Sequence, residues 1–450
     1  MKEGQRSEQK LQARASRTTS KLLQAIRKEF PRAEVDASGR RRVFFNNAAG
    51  TPVLQRAVDA EAAVRLDYFP NVGESSWESK MNEKIILEGR RSVADFLNAP
   101  SADCIVSGES ATSLLFHLSY AISKEMSGVE NIVTTEYEHY ANLSPWLELE
   151  RRGVAKEVRF AKFTPEDGVL DMAHLESLLD SGTRVVAISG VSNMLGTKTP
   201  VAEVFKLAKK FDAYTVLDAV HTTPHIPIDV QELDCDFAVF SAYKLFSRRG
   251  SFMFGRKELL ERLKPYKVDL ASNYSPVKWE MGTRDQALFA SITAVMDYLS
   301  WLGGEVHVEV SDRIARYTGR ARLLKAALSW IEDYERTLSE AMLDGTESVP
   351  GMSAVKGIDL YGLKDVSKIH LRSPTFSFNV RGVEPKRVAD YMWDKHSVVV
   401  FPDDFYSRAL KTYNVPLAVR ASLMHFNTIQ EIESFLAGLE DTVEHFNAAS

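Results

Sequence analysis

The chain has 450 residues, 44% hydrophobic and 26% charged, with 56 Lys and Arg against 61 Asp and Glu for a formal net charge of −5. That balance fits a globular protein long enough for two domains, and it lacks the basic excess that nucleic-acid binding requires. No apolar stretch reaches the roughly 18 to 20 residues of a membrane span and the N-terminus carries no signal-type apolar region, so the sequence reads as cytoplasmic, with neither membrane nor nucleic acid as partner.

Met1 to about Ser20 is polar and basic without an apolar period; it reads as a disordered arm, with an amphipathic transit peptide as the alternative. Leu22 to Phe30 predicts a short helix. Arg40 to Phe45 predicts a strand entering Asn46-Asn47-Ala48-Ala49-Gly50-Thr51-Pro52, a small-residue turn where backbone can approach a ligand closely. From there to about Leu302 strands and helices alternate: Ile105 to Ser107 then Thr112 to Ile122, Asn131 to Thr134 then Leu143 to Glu150, Val185 to Ser189 then Val204 to Phe211, and Thr215 to Asp218. Alternation of this kind implies right-handed βαβ units and a mostly parallel sheet. Beyond helical segments between Val310 and Leu338 come strands at Thr375 to Val380 and Ser397 to Phe401, separated by a helix near Pro385 to Trp393. A long helix from Thr428 to Phe446 closes the chain. The expected organisation is α/β throughout: an arm over residues 1–40, partly disordered, a large domain over 41–302 and a smaller α+β domain over 303–450. Cys104 and Cys235 lie where strands begin and read as buried, reduced thiols rather than a disulfide or a metal site.

Chemistry enters at Phe240-Ser241-Ala242-Tyr243-Lys244-Leu245, which follows Val216-Leu217-Asp218-Ala219-Val220-His221 at the interval of one strand, a connection and the next strand. An amine and a carboxylate at the carboxyl ends of neighbouring strands are what pyridoxal phosphate requires: Lys244 to hold the aldehyde, Asp218 to keep the ring nitrogen protonated. Ser107-Gly108-Glu109-Ser110-Ala111-Thr112 joins a strand to a helix start through small polar residues. It is either a phosphate cradle of backbone N–H groups with the Ser110 hydroxyl, or a capped helix without a ligand; Ser241 can add a hydroxyl. His139, in Glu138-His139-Tyr140-Ala141-Asn142, either stacks on the cofactor ring or is a hydrogen-bonded loop histidine. Asn193, in a turn that Gly196 permits, and His221 are candidate donors to the ring oxygen, each with a structural alternative. Arg420, inside the apolar strand pattern Leu417 to Ser422, needs a carboxylate, either a substrate's or one of the protein's own.

Together these segments resemble the class V aminotransferase superfamily, and within it the cysteine desulfurase and selenocysteine lyase group, over about Arg42 to Phe446. The resemblance rests on Asn46-Asn47-Ala48-Ala49-Gly50-Thr51, His139-Tyr140-Ala141-Asn142, Asp218-Ala219-Val220-His221, Ser241-Ala242-Tyr243-Lys244 and Trp279-Glu280-Met281-Gly282-Thr283. It implies a pyridoxal-phosphate transferase fold of type I with a seven-stranded-type, mostly parallel sheet. By the same resemblance Lys244 carries the internal aldimine and shuttles the proton, Asp218 pairs with the pyridine nitrogen and His139 stacks on the ring. Asn193 and His221 contact the ring oxygen; Ser110 with Ala111, Ser241 and Tyr243 belong to the cofactor site; Arg420 and Ala49 face the substrate. The resemblance further implies a homodimer with the active site at the interface, where Thr283 reaches the phosphate held by the other subunit.

The departures narrow the activity. The loop in which desulfurases carry their persulfide-forming cysteine reads Pro402-Asp403-Asp404-Phe405-Tyr406-Ser407, with Phe405 at the expected cysteine position. The family's usual histidine before the lysine is Tyr243, and its usual glutamine is His221. The expected reaction therefore passes through an external aldimine and α-carbanion of an amino acid to β-elimination, as in a carbon–sulfur lyase without a persulfide relay. Amino transfer and racemisation are the alternatives. A non-catalytic binding subunit would have lost Lys244 or Asp218, and both are present.

Overall fold

The structure is a computed structural model describing residues 20–448. The expected disorder of residues 1–19 lies outside the described residues. Residues 20–29 form the predicted N-terminal helix, which is anchored by Ile26 and, just beyond its end, Phe30, 0% and 1% exposed.

Among the described residues thirteen strands follow: β1 (Val43–Phe44), β2 (Ile105–Gly108), β3 (Asn131–Thr135), β4 (Glu157–Ala161), β5 (Thr183–Ser189), β6 (Tyr214–Asp218), β7 (Phe237–Ser241), β8 (Ser251–Gly255), β9 (Ile358–Tyr361), β10 (Thr375–Val380), β11 (Val398–Val399), β12 (Phe401–Asp403) and β13 (Ala418–Ser422). β2 to β8 make one seven-stranded sheet in the order β2-β8-β7-β6-β5-β3-β4, parallel except for β8, which runs antiparallel to both neighbours. The expected α/β, mostly parallel sheet is thus present. Two of its strands escaped the sequence reading. β4 is a sheet-edge strand whose Glu157 and Arg159 interrupt the apolar run. β8 follows β7 through the turn around Lys244, a link too short for a parallel crossover, so it must return antiparallel.

The central strands are buried along their whole length because helices cover both faces. Helices Ala111–Ser123 and Ser144–Arg151 pack against one another. Gln55–Asp67, Trp77–Leu97 and Gly319–Asp344 gather around the long helix Gln286–Val306. The C-terminal part forms a four-stranded antiparallel sheet, β12-β13-β10-β9, backed by helices Pro385–His396 and Ile429–Ala448 around a second core that includes Phe376, Phe378, Val419 and Phe435.

Phe45 belongs to this second core, and β1 pairs in parallel with β11. The chain therefore visits the C-terminal unit before it builds the large sheet. The single strand expected over Ser397 to Phe401 is two: β11 joins β1, and β12 joins β13. Val400 is the pivot between partners on different sheets, which alternation of apolar residues cannot reveal. Both cysteines are free and buried as expected. Among the described residues, no helix is long and apolar enough to cross a membrane.

Candidate active site

A cavity of about 620 Å³ opens at the carboxyl ends of β5, β6 and β7, lined by Ser189, Asp218, Ser241, Tyr243 and Lys244, and is completed by Arg420, Asp403 and Phe405 of the C-terminal unit. This is where open α/β sheets place ligands. Lys244 ends a short 3₁₀ turn, Ala242–Lys244, directly after β7. Its Nζ donates to the carbonyl of Ala48 and, at 2.9 Å, to that of Ala49, so Ala49 meets the lysine through its backbone. Burial first, then the charges of Arg420 and Arg249, pull the ammonium down to about 7.

Asp218 ends β6, 5% exposed. Its Oδ1 accepts one bond, from Val220 N at 2.9 Å, and burial raises its carboxyl to about 7. A buried carboxylate so poorly matched by the protein calls for a cationic N–H.

His139 caps the turn Tyr140–Asn142, its Nδ1 accepting from Ala141 N at 3.0 Å. Burial and the nearby Lys244 and Arg420 hold its pKa at about 4, so the ring is neutral with its hydrogen on Nε2. The two readings of His139 thus coexist: it is hydrogen-bonded within its loop and it borders the cavity. Asn193 donates from Nδ2 to Phe405 O at 2.9 Å and leaves Oδ1 buried without a partner. His221 shares a 3.0 Å bond between Nε2 and Thr375 Oγ1, and burial pushes its pKa well below the usual value.

Arg420, on β13 and 3% exposed, donates from Nη1 to Asn193 O at 2.9 Å, while its Nε has no partner. Among the described residues no carboxylate forms an ion pair with it, which removes the internal salt bridge as its explanation. Burial draws even this guanidinium down to about 9.

At the other end, Ala111 and Thr112 border the cavity at the start of helix Ala111–Ser123. Ser110 is the cap of that helix: its Oγ accepts from Ser113 N at 3.0 Å, and it is not among the lining residues. Ser241 and Tyr243 both face the cavity. Thr283 does not; it lines a separate hollow with Asn71, Val72 and Arg284.

One residue of the site was not singled out from sequence. Glu138 is fully buried and accepts from Thr135 Oγ1 at 2.7 Å, Asn142 Nδ2 at 2.8 Å, Ser189 N at 2.9 Å and Ser189 Oγ at 2.6 Å. It ties the His139 turn to the end of β5. A carboxylate three residues after the wholly buried strand β3 was the available signal.

The arrangement fits pyridoxal phosphate: an amine near neutrality, a carboxylate short of partners, a neutral ring, a helix start for an anion, and orphaned polar atoms on Asn193 and Arg420, all around one cavity. The chain belongs to the class V aminotransferase family, whose sequence profile matches residues 43–320, and it is a pyridoxal-phosphate-dependent enzyme. It is 29% identical over 434 residues to a cysteine desulfurase of Klebsiella pneumoniae, covering 93% of this chain and 97% of that one. A cysteine desulfurase of Pectobacterium atrosepticum is likewise 29% identical over 436 residues, with the same coverage of 93% and 97%. The apo structure of a cysteine desulfurase from Thermococcus onnurineus superposes with a TM-score of 0.77 at 24% identity, covering 90% of this chain and 95% of that one. That likeness establishes the type I fold.

Proposed function

We propose that this protein catalyses β-elimination from an amino acid, as a carbon–sulfur lyase does, and releases the leaving group into the cavity rather than onto a thiol of its own. The observation that carries this reading is the absence of any thiol there. Cys104 and Cys235, the two cysteines of the chain, are buried elsewhere, and Phe405, 3% exposed, occupies the loop that borders the cavity. Burial also pushes the Cys235 thiol up, away from the thiolate that accepts sulfur.

Ala111, Thr112 and Ser241 would hold the phosphate, with Ser110 as the helix cap behind them. Asp218 would hold the ring nitrogen, His139 the ring face, and Asn193 with His221 the ring oxygen. When bound, the cofactor supplies a carbonyl that condenses with amines and a protonated ring that accepts an electron pair from the substrate's α-carbon. Arg420 binds the substrate carboxylate through the donors that no protein carboxylate uses. Lys244, with its ammonium near 7, would take the α-proton at Nζ and hand it to the departing β-substituent. Phe401, Phe405 and Tyr406 limit water around that transfer.

We also read the protein as a homodimer with its site at the interface. In support, Thr283 lies away from its own chain's cavity, and the flanking segments expose Phe69 by 80%, Leu270 by 98%, Tyr274 by 80% and Met281 by 66%, apolar surface of the kind a partner covers. A monomer in sedimentation would end that part of the reading.

The activity is tested by adding cysteine conjugates singly to the holoenzyme and assaying pyruvate and ammonia. Both products in equal amounts are expected, and Lys244→Ala is expected to lose them together with the visible absorption band. A keto acid formed only alongside an amino acceptor, without free ammonia, would replace the proposal with amino transfer.

A further inference from the structure

Three side chains lead from the cavity wall into the protein, and the chemistry above uses only the first. His221 borders the cavity, and with Nε2 bonded to Thr375 Oγ1 at 3.0 Å its Nδ1 is the nitrogen left for a ligand. Its ring meets that of His225 edge to face, with centroids 5.1 Å apart and planes at 70°. His225 shares a 2.7 Å bond between Nδ1 and Glu335 Oε2, and the two side chains are 1% and 2% exposed. The outer atoms of that pair, His225 Nε2 and Glu335 Oε1, are buried and without hydrogen-bond partners among the described residues. Both histidines follow β6, whereas Glu335 comes from helix Gly319–Asp344. Burying such a pair costs desolvation that apolar residues of similar volume avoid, so packing alone does not call for it.

We propose that Glu335 is a positioning residue: acting through His225, it orients His221 and keeps that imidazole neutral at the cofactor's ring oxygen. A Glu335 carboxylate accepting at Oε2 fixes a hydrogen on His225 Nδ1 and with it the plane of that ring. That ring, edge to face with His221, in turn fixes the orientation of the imidazole at the cavity. Burial above all, then the neighbouring His225, Arg420, Lys244 and His139, holds the His221 pKa well below its usual value, so the ring is neutral. At the far end burial above all pushes the Glu335 carboxyl above its ordinary range, with Glu332 adding to it, while His225 and Lys198 oppose the rise. His425, which also senses His225, is held at about 3 by burial and carries no competing charge. When the Thr375 hydroxyl donates to Nε2, the one hydrogen of a neutral His221 sits on Nδ1, available to an anionic oxygen.

This role rests on the proposed contact between His221 and the cofactor, and a pH titration of the holoenzyme's visible absorption separates the two. Glu335→Gln keeps an acceptor for His225 and removes the charge. It is expected to displace the midpoint of the wild-type titration and to lower kcat on the order of tenfold, the scale of outer-shell partners of ligand groups, with KM changed less than about twofold. His225→Gln is expected to give the same displacement, and the double variant no more than either alone, as for residues acting in series. His225→Gln and Glu335→Asp also carry the test if Glu335→Gln does not fold. A folded Glu335→Gln holoenzyme with an unmoved midpoint, or additive effects in the double variant, overturns the proposal alone. A wild type that develops no cofactor band overturns it together with the reading of the site.

Discussion

The guanidinium of Arg420 lies 4.4 Å over the ring of Phe405, a contact that joins the substrate-facing cation to the loop lacking a cysteine. Phe405 and Tyr406 have φ values of +55° and +47°, left-handed backbone that costs bulky residues on the order of 1–3 kcal/mol each. Hydrogen bonds hold the loop there, among them Asn193 Nδ2 to Phe405 O at 2.9 Å, Tyr140 N to Tyr406 O at 2.8 Å and Tyr406 N to Asp404 Oδ1 at 2.8 Å. Phe405→Ala removes the ring against which Arg420 rests. It is expected to destabilise the protein by about 3 kcal/mol and to raise KM more than it lowers kcat, as urea unfolding and steady-state kinetics would reveal. An unchanged KM would mean that the ring does not organise the arginine.

Arg420→Lys tests the arginine itself. Lysine keeps the charge but cannot donate to Asn193 O and to a carboxylate with one rigid fork. The expected loss is about 2 to 3 kcal/mol in substrate binding, roughly 30- to 150-fold in KM, with cofactor affinity little altered. Titrating holoenzyme with substrate while following its absorbance separates the two affinities.

Asp218 and Lys244 give the apoprotein a distinctive pH dependence. Burial raises the Asp218 carboxyl to about 7, so between about 4 and that value the folded state binds more protons than the unfolded chain, and stability falls as pH rises. Lys244, lowered to about 7, acts in the opposite sense: above that pH the unfolded chain holds the extra proton, and stability rises with pH until the unfolded lysine titrates near 10. Asp218→Asn apoprotein is expected to lose the falling limb and to exceed wild type at neutral pH by on the order of a few kcal/mol. Thermal unfolding from mildly acidic to mildly alkaline pH checks this; parallel curves for the two proteins would refute it.

Gly196 sits at φ +71°, and a Cβ there would lie 2.6 Å from Thr375 O and 2.8 Å from Ser373 O. Gly196→Ala is expected to cost about 2 to 3 kcal/mol and to displace β10 from the Asn193 turn. Chemical denaturation measures the first effect. Weaker cofactor binding reports the second, because Thr375 Oγ1 is the partner of His221.

Lys244, Asp218, His139, Asn193, His221 and Arg420, which the structure gathers around one cavity, stand out in the sequence because each polar group lies at or within four residues of the end of an apolar strand or, for Arg420, interrupts one, and such a group is costly unless used. The same logic located β3, β5, β6 and β7, whose runs are buried on both faces. What escaped depends on contacts across long sequence separations. Glu138 is recognisable only once Ser189 is seen to bond it, and the Glu335–His225 pair joins a helix to a distant loop. Ser110 shows the converse: its local pattern was right for a cap, and the cap bond to Ser113 engages the hydroxyl assigned to phosphate.

The turn that receives Lys244 is itself held by the far end of the chain: Ser422 Oγ accepts from Ala48 N at 2.8 Å and Ser422 O from Asn47 Nδ2 at 2.9 Å. During synthesis, therefore, the amine has no finished berth until almost the entire polypeptide has left the ribosome. A chain terminated before β13 would carry the reactive lysine without the frame that receives it.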